Sequence, residues 1–270
     1  MNVMEEHAVV SQRPLCWYRH DLGSARTTVV LTHGAGTDHH MFDQLEADLH
    51  QAGYGTLAWD VRGHGLSAMP SRAFRVGDVV DDLVRTLDWE GVAAPVVLVG
   101  QSMGGNVSQE LLRSQPGRVA ALVAIGSTCN TMPISRWERT KLRLAGQSLR
   151  LIPFKYLTSM MAGASSTTTS GQRYLLDVFR SGGRRRFLRI WAGVSRCLTP
   201  DLTYRAPVSQ LLVVGQHDET GNIKTAMLQW SERDPRSQLL VVRGAGHVAQ
   251  LDRPDQVNQA VIKFIRENVS

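Results

Sequence analysis

With 270 residues, 43% of them hydrophobic, the chain can bury a sizeable core as one α/β domain and is too apolar for a disordered one. No apolar run approaches the roughly 20 residues of a membrane helix, and Met1–Val10 carries Glu5 and Glu6 in place of a signal peptide's basic start. The net charge of +6 is uneven: 14 of the 30 Lys/Arg but only three of the 24 Asp/Glu lie between Met132 and Arg205, which marks that stretch as an insertion of different character.

Six short apolar runs read as buried strands: Val29–Thr32, Gly55–Asp60, Val96–Val99, Ala121–Ile125, Leu211–Val214 and Gln238–Val242. Leu15–His20 reads as an earlier strand, joined on by a turn around Gly23. Between them, helix periodicity covers Phe42–Gln51, Val76–Trp89, Gly105–Ser114, Lys224–Glu232 and Asp255–Glu267. In the last of these Val257, Val261, Phe264 and Ile265 form one face, and Pro254 stands at the start, where its missing N–H costs nothing. This rhythm predicts a mostly parallel sheet covered by helices on both faces. It breaks between Asn130 and Ala206, a stretch rich in aromatic, Met and Arg residues with a Ser/Thr-rich piece at Ser165–Ser170. That stretch reads as a helical lobe, whose aromatic and Met residues form lobe core first and ligand contacts second.

The run Val96-Val-Leu-Val-Gly100-Gln-Ser102-Met-Gly104-Gly105 carries the chemistry. A buried strand ends, a serine sits two residues from a glycine on either side, and a helix begins. A serine that exposes its hydroxyl at a strand tip must occupy a sharp, strained turn. Side chains at positions 100 and 104 would crowd the strand–helix approach, and the helix start aims free N–H groups at an anion forming near Ser102. A hydroxyl also needs a base. His247, in Gly244-Ala-Gly246-His247, follows the sixth strand; Asp218, in Gly215-Gln-His217-Asp218-Glu219, follows the fifth. Asp218 would hold the imidazole's tautomer, with Glu219 and Asp252 as alternatives. The backbone N–H groups of Ala35, in His33-Gly34-Ala35-Gly36, and of Met103 would bind the oxyanion.

These pieces, with Asp60-Val-Arg62-Gly63-His64-Gly65-Leu-Ser67, make the chain resemble the α/β-hydrolase superfamily over nearly its whole length. The resemblance implies a mostly parallel eight-stranded sheet flanked by helices, with residues 1–130 and 206–270 as the core. Residues 131–205 match the helical cap that such relatives carry after the sixth of their eight strands. It also implies a serine hydrolase acting on a carboxylic ester, lactone or thioester through an acyl-enzyme. Carbon–carbon hydrolysis, acyl transfer and lyase chemistry use the same triad, and a receptor could retain the pocket. The Asp60–Ser67 run is a structural turn in the family. His-Gly-Ala-Gly and Gly-Gln-Ser-Met-Gly-Gly are similar to strings of monoacylglycerol lipases and small esterases. Gln101 replaces a histidine common before the nucleophile, an exchange expected to be harmless because the side chain need not touch substrate.

Expected substrate contacts are Gly34, His39, Trp137, Met160 and Val248; the ligand is a small acyl compound, hydrophobic and with room for an anionic end. No metal or other cofactor is expected. His39 and His40 have no partner at metal-ligand spacing, no Gly-x-Gly-x-x-Gly follows the first strand, and no nucleic-acid-binding motif is present. Cys16, Cys129 and Cys197 are scattered and odd in number, which reads as reduced thiols in a cytoplasm.

Overall fold

The computed structural model describes residues 4–10, 13–21, 27–67, 74–93, 95–133, 150–194 and 197–269. Eight strands form one sheet: β1 (Met4–Val10), β2 (Arg13–His20), β3 (Thr28–Thr32), β4 (Gly55–Asp60), β5 (Val96–Gln101), β6 (Val119–Ile125), β7 (Ser209–Gly215) and β8 (Ser237–Val242). Their order is β1-β2-β4-β3-β5-β6-β7-β8. The β1–β2 and β2–β4 pairs are antiparallel, and every pair from β4 to β8 is parallel. All six expected strands are present, with ends extended by up to two residues, and so is the earlier one. β1 was not anticipated. The turn around Gly23 lies outside the described residues.

The apolar runs are continuous because the central strands are covered on both faces. Val29, Leu31, Val97, Val99, Val123 and Val213 point to one side, where they meet Leu45 and Leu49 of α1 (Asp43–Gln51) and Val257, Val261 and Phe264 of the C-terminal helix (Pro254–Asn268). The alternate residues Val30, Leu98, Leu122 and Leu212 meet Leu83 and Leu87 of α2 (Val76–Trp89), Val107 and Leu111 of α3 (Met103–Ser114), and Met227 and Trp230 of a helix after β7 (Ile223–Arg233). Each such side chain, fully buried, contributes about 1.5–3 kcal/mol. A one-residue slip of β5 would exchange its two faces at once.

Among the described residues, three helices lie between β6 and β7: α4 (Phe154–Ser165), α5 (Thr169–Ser181) and α6 (Gly183–Val194). Leu157, Ala162, Leu175, Phe179 and Phe187 bury their apolar faces, and the Phe187 ring meets those of Phe154 and Phe179 edge-on at 5.7 and 5.5 Å. Thr168 caps α5 by accepting the Gly171 N–H. Polar contacts of α5 and α6 tie this insertion to the sheet domain. The Tyr174 hydroxyl donates to the Asp38 carboxylate at 2.7 Å, and the Arg186 guanidinium donates to the carbonyls of Gly63, Gly65 and Ser67. Among the described residues, no helix is long and apolar enough to cross a membrane.

Candidate active site

Ser102 lies between β5 and α3 with φ 49° and ψ −112°, in a region that a residue with a Cβ rarely occupies. Such a conformation costs about 1–3 kcal/mol and persists only where its surroundings over-determine it. They do so here. Its N–H donates to the Ile125 carbonyl at 2.8 Å, and its own carbonyl accepts from Ser127 Oγ at 2.9 Å. The flanking glycines let strand and helix close on each other. A Cβ at Gly100 would lie 2.4 Å from the Gly104 backbone, and one at Gly104 would lie 1.9 Å from the Thr32 carbonyl. The crowding argument for glycine at both positions holds at the atomic level. α3 begins at Met103, two residues earlier than the expected start at Gly105, since Gly104 carries no helical signal.

The same approach sets the β3 loop against the start of α3. Among the described residues, the N–H groups of Ala35 and Met103 donate to no protein acceptor, which leaves both available to an anion. Gln101, wholly buried, holds this arrangement from beneath. Its Oε1 occupies the space that a Cβ on Gly34 would need, 2.1 Å away, and its Nε2 donates to the His247 carbonyl at 3.3 Å. The side chain thus spans the β3 loop and the histidine loop, a role the sequence reading had not given it.

His247 Nδ1 and Asp218 Oδ2 are 3.0 Å apart, both side chains buried. The loops that carry them meet because Gly215 has no side chain: a Cβ there would stand 2.0 Å from the Gly246 carbonyl. The His217 N–H donating to Ala245 O at 2.8 Å fixes the pair of loops further. Burial pushes the Asp218 carboxyl up. The hydrogen bond and charge of His247, with the Thr220 N–H at 2.9 Å, outweigh burial and hold it below the usual carboxylate value. A carboxylate on Nδ1 favours the tautomer whose Nε2 is free to accept a proton. The imidazole stands against Gly126, where a Cβ would lie 3.0 Å from Nδ1, and Gly126 follows the residue that receives the Ser102 N–H. Ser102, Asp218 and His247 are therefore gathered at the carboxyl end of β5, β7 and β8.

Asp252 serves elsewhere. Its Oδ2 accepts the N–H groups of Gly246 at 2.7 Å and Thr167 at 3.1 Å, and its Oδ1 accepts the hydroxyls of Ser166 at 2.5 Å and Thr168 at 3.2 Å. The Ser165 carbonyl accepts the Val248 N–H at 3.0 Å. The Ser/Thr-rich piece of the insertion thus grips the histidine loop on both sides of His247. Glu219, the other alternative acid, is exposed.

The remaining expected contacts divide. Gly34 and Val248 lie in the β3 and histidine loops, Val248 with its side chain buried. His39 is buried: its Nδ1 is 2.9 Å from Asp60 Oδ1, which ties that nitrogen to the protein, and its ring stacks on Tyr18 at 3.7 Å. Met160 is 61% exposed on α4. Trp137 lies outside the described residues. The Asp60–Ser67 run forms a turn braced from within, with Asp60 accepting the Leu66 N–H and Ser67 Oγ donating to the Asp60 carbonyl. Among the described residues, no group of three or more metal-ligating side chains occurs.

A family model described as the alpha/beta hydrolase family matches residues 29–260. The chain belongs to this family. Among curated proteins it is similar to a 2-(acetamidomethylene)succinate hydrolase of Mesorhizobium japonicum, 26% identical over 246 residues that cover 86% of each chain. Among solved structures it is similar to a thermophilic esterase from Thermogutta terrifontis, with TM-score 0.80, 20% identity and full coverage of both chains. An enol-lactonase from Burkholderia xenovorans LB400 superposes with TM-score 0.82 at 19% identity, covering 97% of this chain and 100% of the other. At such identities the two structures speak for the fold alone.

Proposed function

We propose that the protein is a serine hydrolase that cleaves a carboxylic ester or lactone through an acyl-enzyme. The reading rests on one arrangement: an Asp218–His247 pair at 3.0 Å beside a serine held at positive φ. His247 takes the Ser102 proton, and Ser102 Oγ attacks the acyl carbonyl. The N–H groups of Ala35 and Met103 bind the oxyanion that develops, each worth roughly 100- to 1000-fold in rate. The imidazolium, steadied by Asp218, protonates the leaving alcohol. Water then enters by the same route and frees the acid. The similarity to a curated hydrolase along most of both chains supports a hydrolytic reading.

Residues 131–205 act as the cap. Phe179 and Phe187 reach the β3 loop, where a Cβ on Gly36 would lie 3.0 Å from the Phe179 ring, and supply an apolar wall beside the oxyanion donors. A hydrophobic acyl group fits that wall. The test is labelling by a fluorophosphonate together with turnover of p-nitrophenyl esters of graded chain length. Wild type is labelled at Ser102 and turns over medium chains faster than acetate. Ser102→Ala loses the label and on the order of a millionfold in turnover. An unlabelled wild-type protein would make the site a binding pocket, and acetate turned over as fast as longer chains would remove the apolar-wall argument.

A further inference from the structure

The two oxyanion donors are not held alike. The Met103 N–H belongs to the first residue of α3 and is aimed by the helix itself, whereas the Ala35 N–H lies in a loop. Its direction is that of the Gly34–Ala35 peptide. Among the described residues no peptide is cis, so the Gly34 carbonyl points opposite to the Ala35 N–H across one rigid plane. Whatever holds the carbonyl therefore aims the donor.

Among the described residues, three groups donate to that carbonyl. Gly34–Thr37 is a turn with Gly36 in third place at φ 81°, the sign that a type II turn demands there. Its closing bond, from the Thr37 N–H to the Gly34 carbonyl, is long at 3.4 Å. The hydroxyl of Thr37, a buried residue, donates to the same carbonyl at 2.9 Å and so is the stronger closure. His33 adds a bond: its Nε2 accepts the Val61 N–H at 3.0 Å, which leaves the proton on Nδ1, 2.8 Å from the Gly34 oxygen. The insertion presses on both neighbours of Thr37 through α5. The Phe179 ring packs on Gly36, where a Cβ would lie 3.0 Å from it. The Tyr174 hydroxyl donates to Asp38 Oδ1 at 2.7 Å, the oxygen that also accepts the His40 N–H at 3.2 Å. Burial, then the charge of Asp38, push the Tyr174 hydroxyl well above its ordinary value, so it stays a donor.

We infer that the Thr37 hydroxyl is a positioning group for the oxyanion site, aiming the Ala35 N–H, and that Tyr174 of the insertion keeps it in place through Asp38. Thr37 acts through the peptide and not on the substrate. It holds the far end of the unit whose N–H meets the developing charge, so its loss is felt in the transition state and not in substrate binding. The inference rests on the reading of Ser102 as nucleophile.

The test is turnover of a p-nitrophenyl ester in Thr37→Val, Thr37→Ser and Tyr174→Phe, with inhibition by phenylboronic acid, whose tetrahedral adduct on Ser102 sets an oxygen at the oxyanion donors. Thr37→Val lowers kcat by roughly 10- to 100-fold and leaves KM within about threefold. The boronate weakens in proportion to the fall in kcat/KM. Thr37→Ser, which returns the hydroxyl, recovers kcat to within about threefold of wild type. Tyr174→Phe lowers kcat by roughly three- to tenfold, again with KM held. A thermal melt of each variant reports folding, and Tyr174→Phe, which changes no atom of the loop, carries the test should Thr37→Val fail to fold. A rise in KM at unchanged kcat, serine no better than valine, or full kcat in Tyr174→Phe would each overturn the inference. Fluorophosphonate labelling separates it from the hydrolase reading. A labelled wild type with kcat unchanged in Thr37→Val overturns this inference alone, and an unlabelled wild type overturns both.

Discussion

Replacing Asp252 separates two ways of losing one carboxylate. In Asp252→Asn the amide oxygen can take the place of Oδ2 and keep the N–H groups of Gly246 and Thr167, because these donors cannot turn round. The NH₂ then faces the Ser166 and Thr168 hydroxyls, which rotate and accept. Only the charge assistance is lost, about 1 kcal/mol. Asp252→Ala has no such exchange. Thr167 is exposed and its N–H turns to water, and Ser166 Oγ has the Thr168 carbonyl at 3.2 Å as a second acceptor. The Gly246 N–H is buried with nowhere to go, at a cost of about 1–3 kcal/mol, and the small void adds to it. We expect a total loss of about 2–4 kcal/mol in urea denaturation. Since Gly246 precedes His247, a shift of the loop of ~1 Å lowers kcat for a p-nitrophenyl ester by up to about 100-fold. Alanine no more damaging than asparagine, in stability or in kcat, would refute the reasoning. A fall of about 10⁴-fold in Asp252→Asn would instead make Asp252 the triad acid.

Asp218→Asn keeps the geometry but favours the wrong imidazole tautomer, so kcat falls by about 10⁴-fold with the fold intact, as circular dichroism and ester turnover check together. Because the folded-state carboxyl of Asp218 is depressed, the stability it contributes is fully present above its unfolded value near about 4 and is lost as pH falls through the folded value. The gap in stability between wild type and Asp218→Asn therefore narrows on acidification below about pH 4, and a gap that widens there contradicts the sign. Gly34→Ala drives a methyl into Gln101 Oε1 and costs about 1–3 kcal/mol, while Gln101→Ala removes the obstacle. A double-mutant cycle in urea should show the pair coupled by more than about 0.5 kcal/mol, and simple additivity would mean that the two do not touch.

The parts of the fold that sequence exposed are those with local cause. β3, β5 and β7 are buried on both faces and so write themselves as unbroken apolar runs, and the helix Pro254–Asn268 carries its buried face at helical spacing. β1 was hidden because Met-Glu-Glu-His-Ala-Val-Val lacks an apolar run; its strand character comes from pairing with β2 at the sheet edge. The candidate triad was legible because each member sits just past a strand on a glycine-bearing turn. The groups that hold it were not. Gln101 meets His247 across 146 residues and Ser166 meets Asp252 across 86, and neither pairing leaves a local pattern. His39 read as a loop residue near the site, since nothing nearby in the chain announces that Asp60 will reach its ring.

The sheet order also sets a timetable. Ser102 and the β3 loop lie in the first half of the chain, whereas Asp218 and His247 ride on β7 and β8, the last two strands made. Synthesis proceeds from the N-terminus, and early segments can fold first. A nascent chain can thus complete the serine turn against β6 while its base has yet to leave the ribosome. On the proposed reading, a product truncated before residue 247 would be folded in part and chemically silent, and the bond-breaking capacity would arrive only with the closing strand.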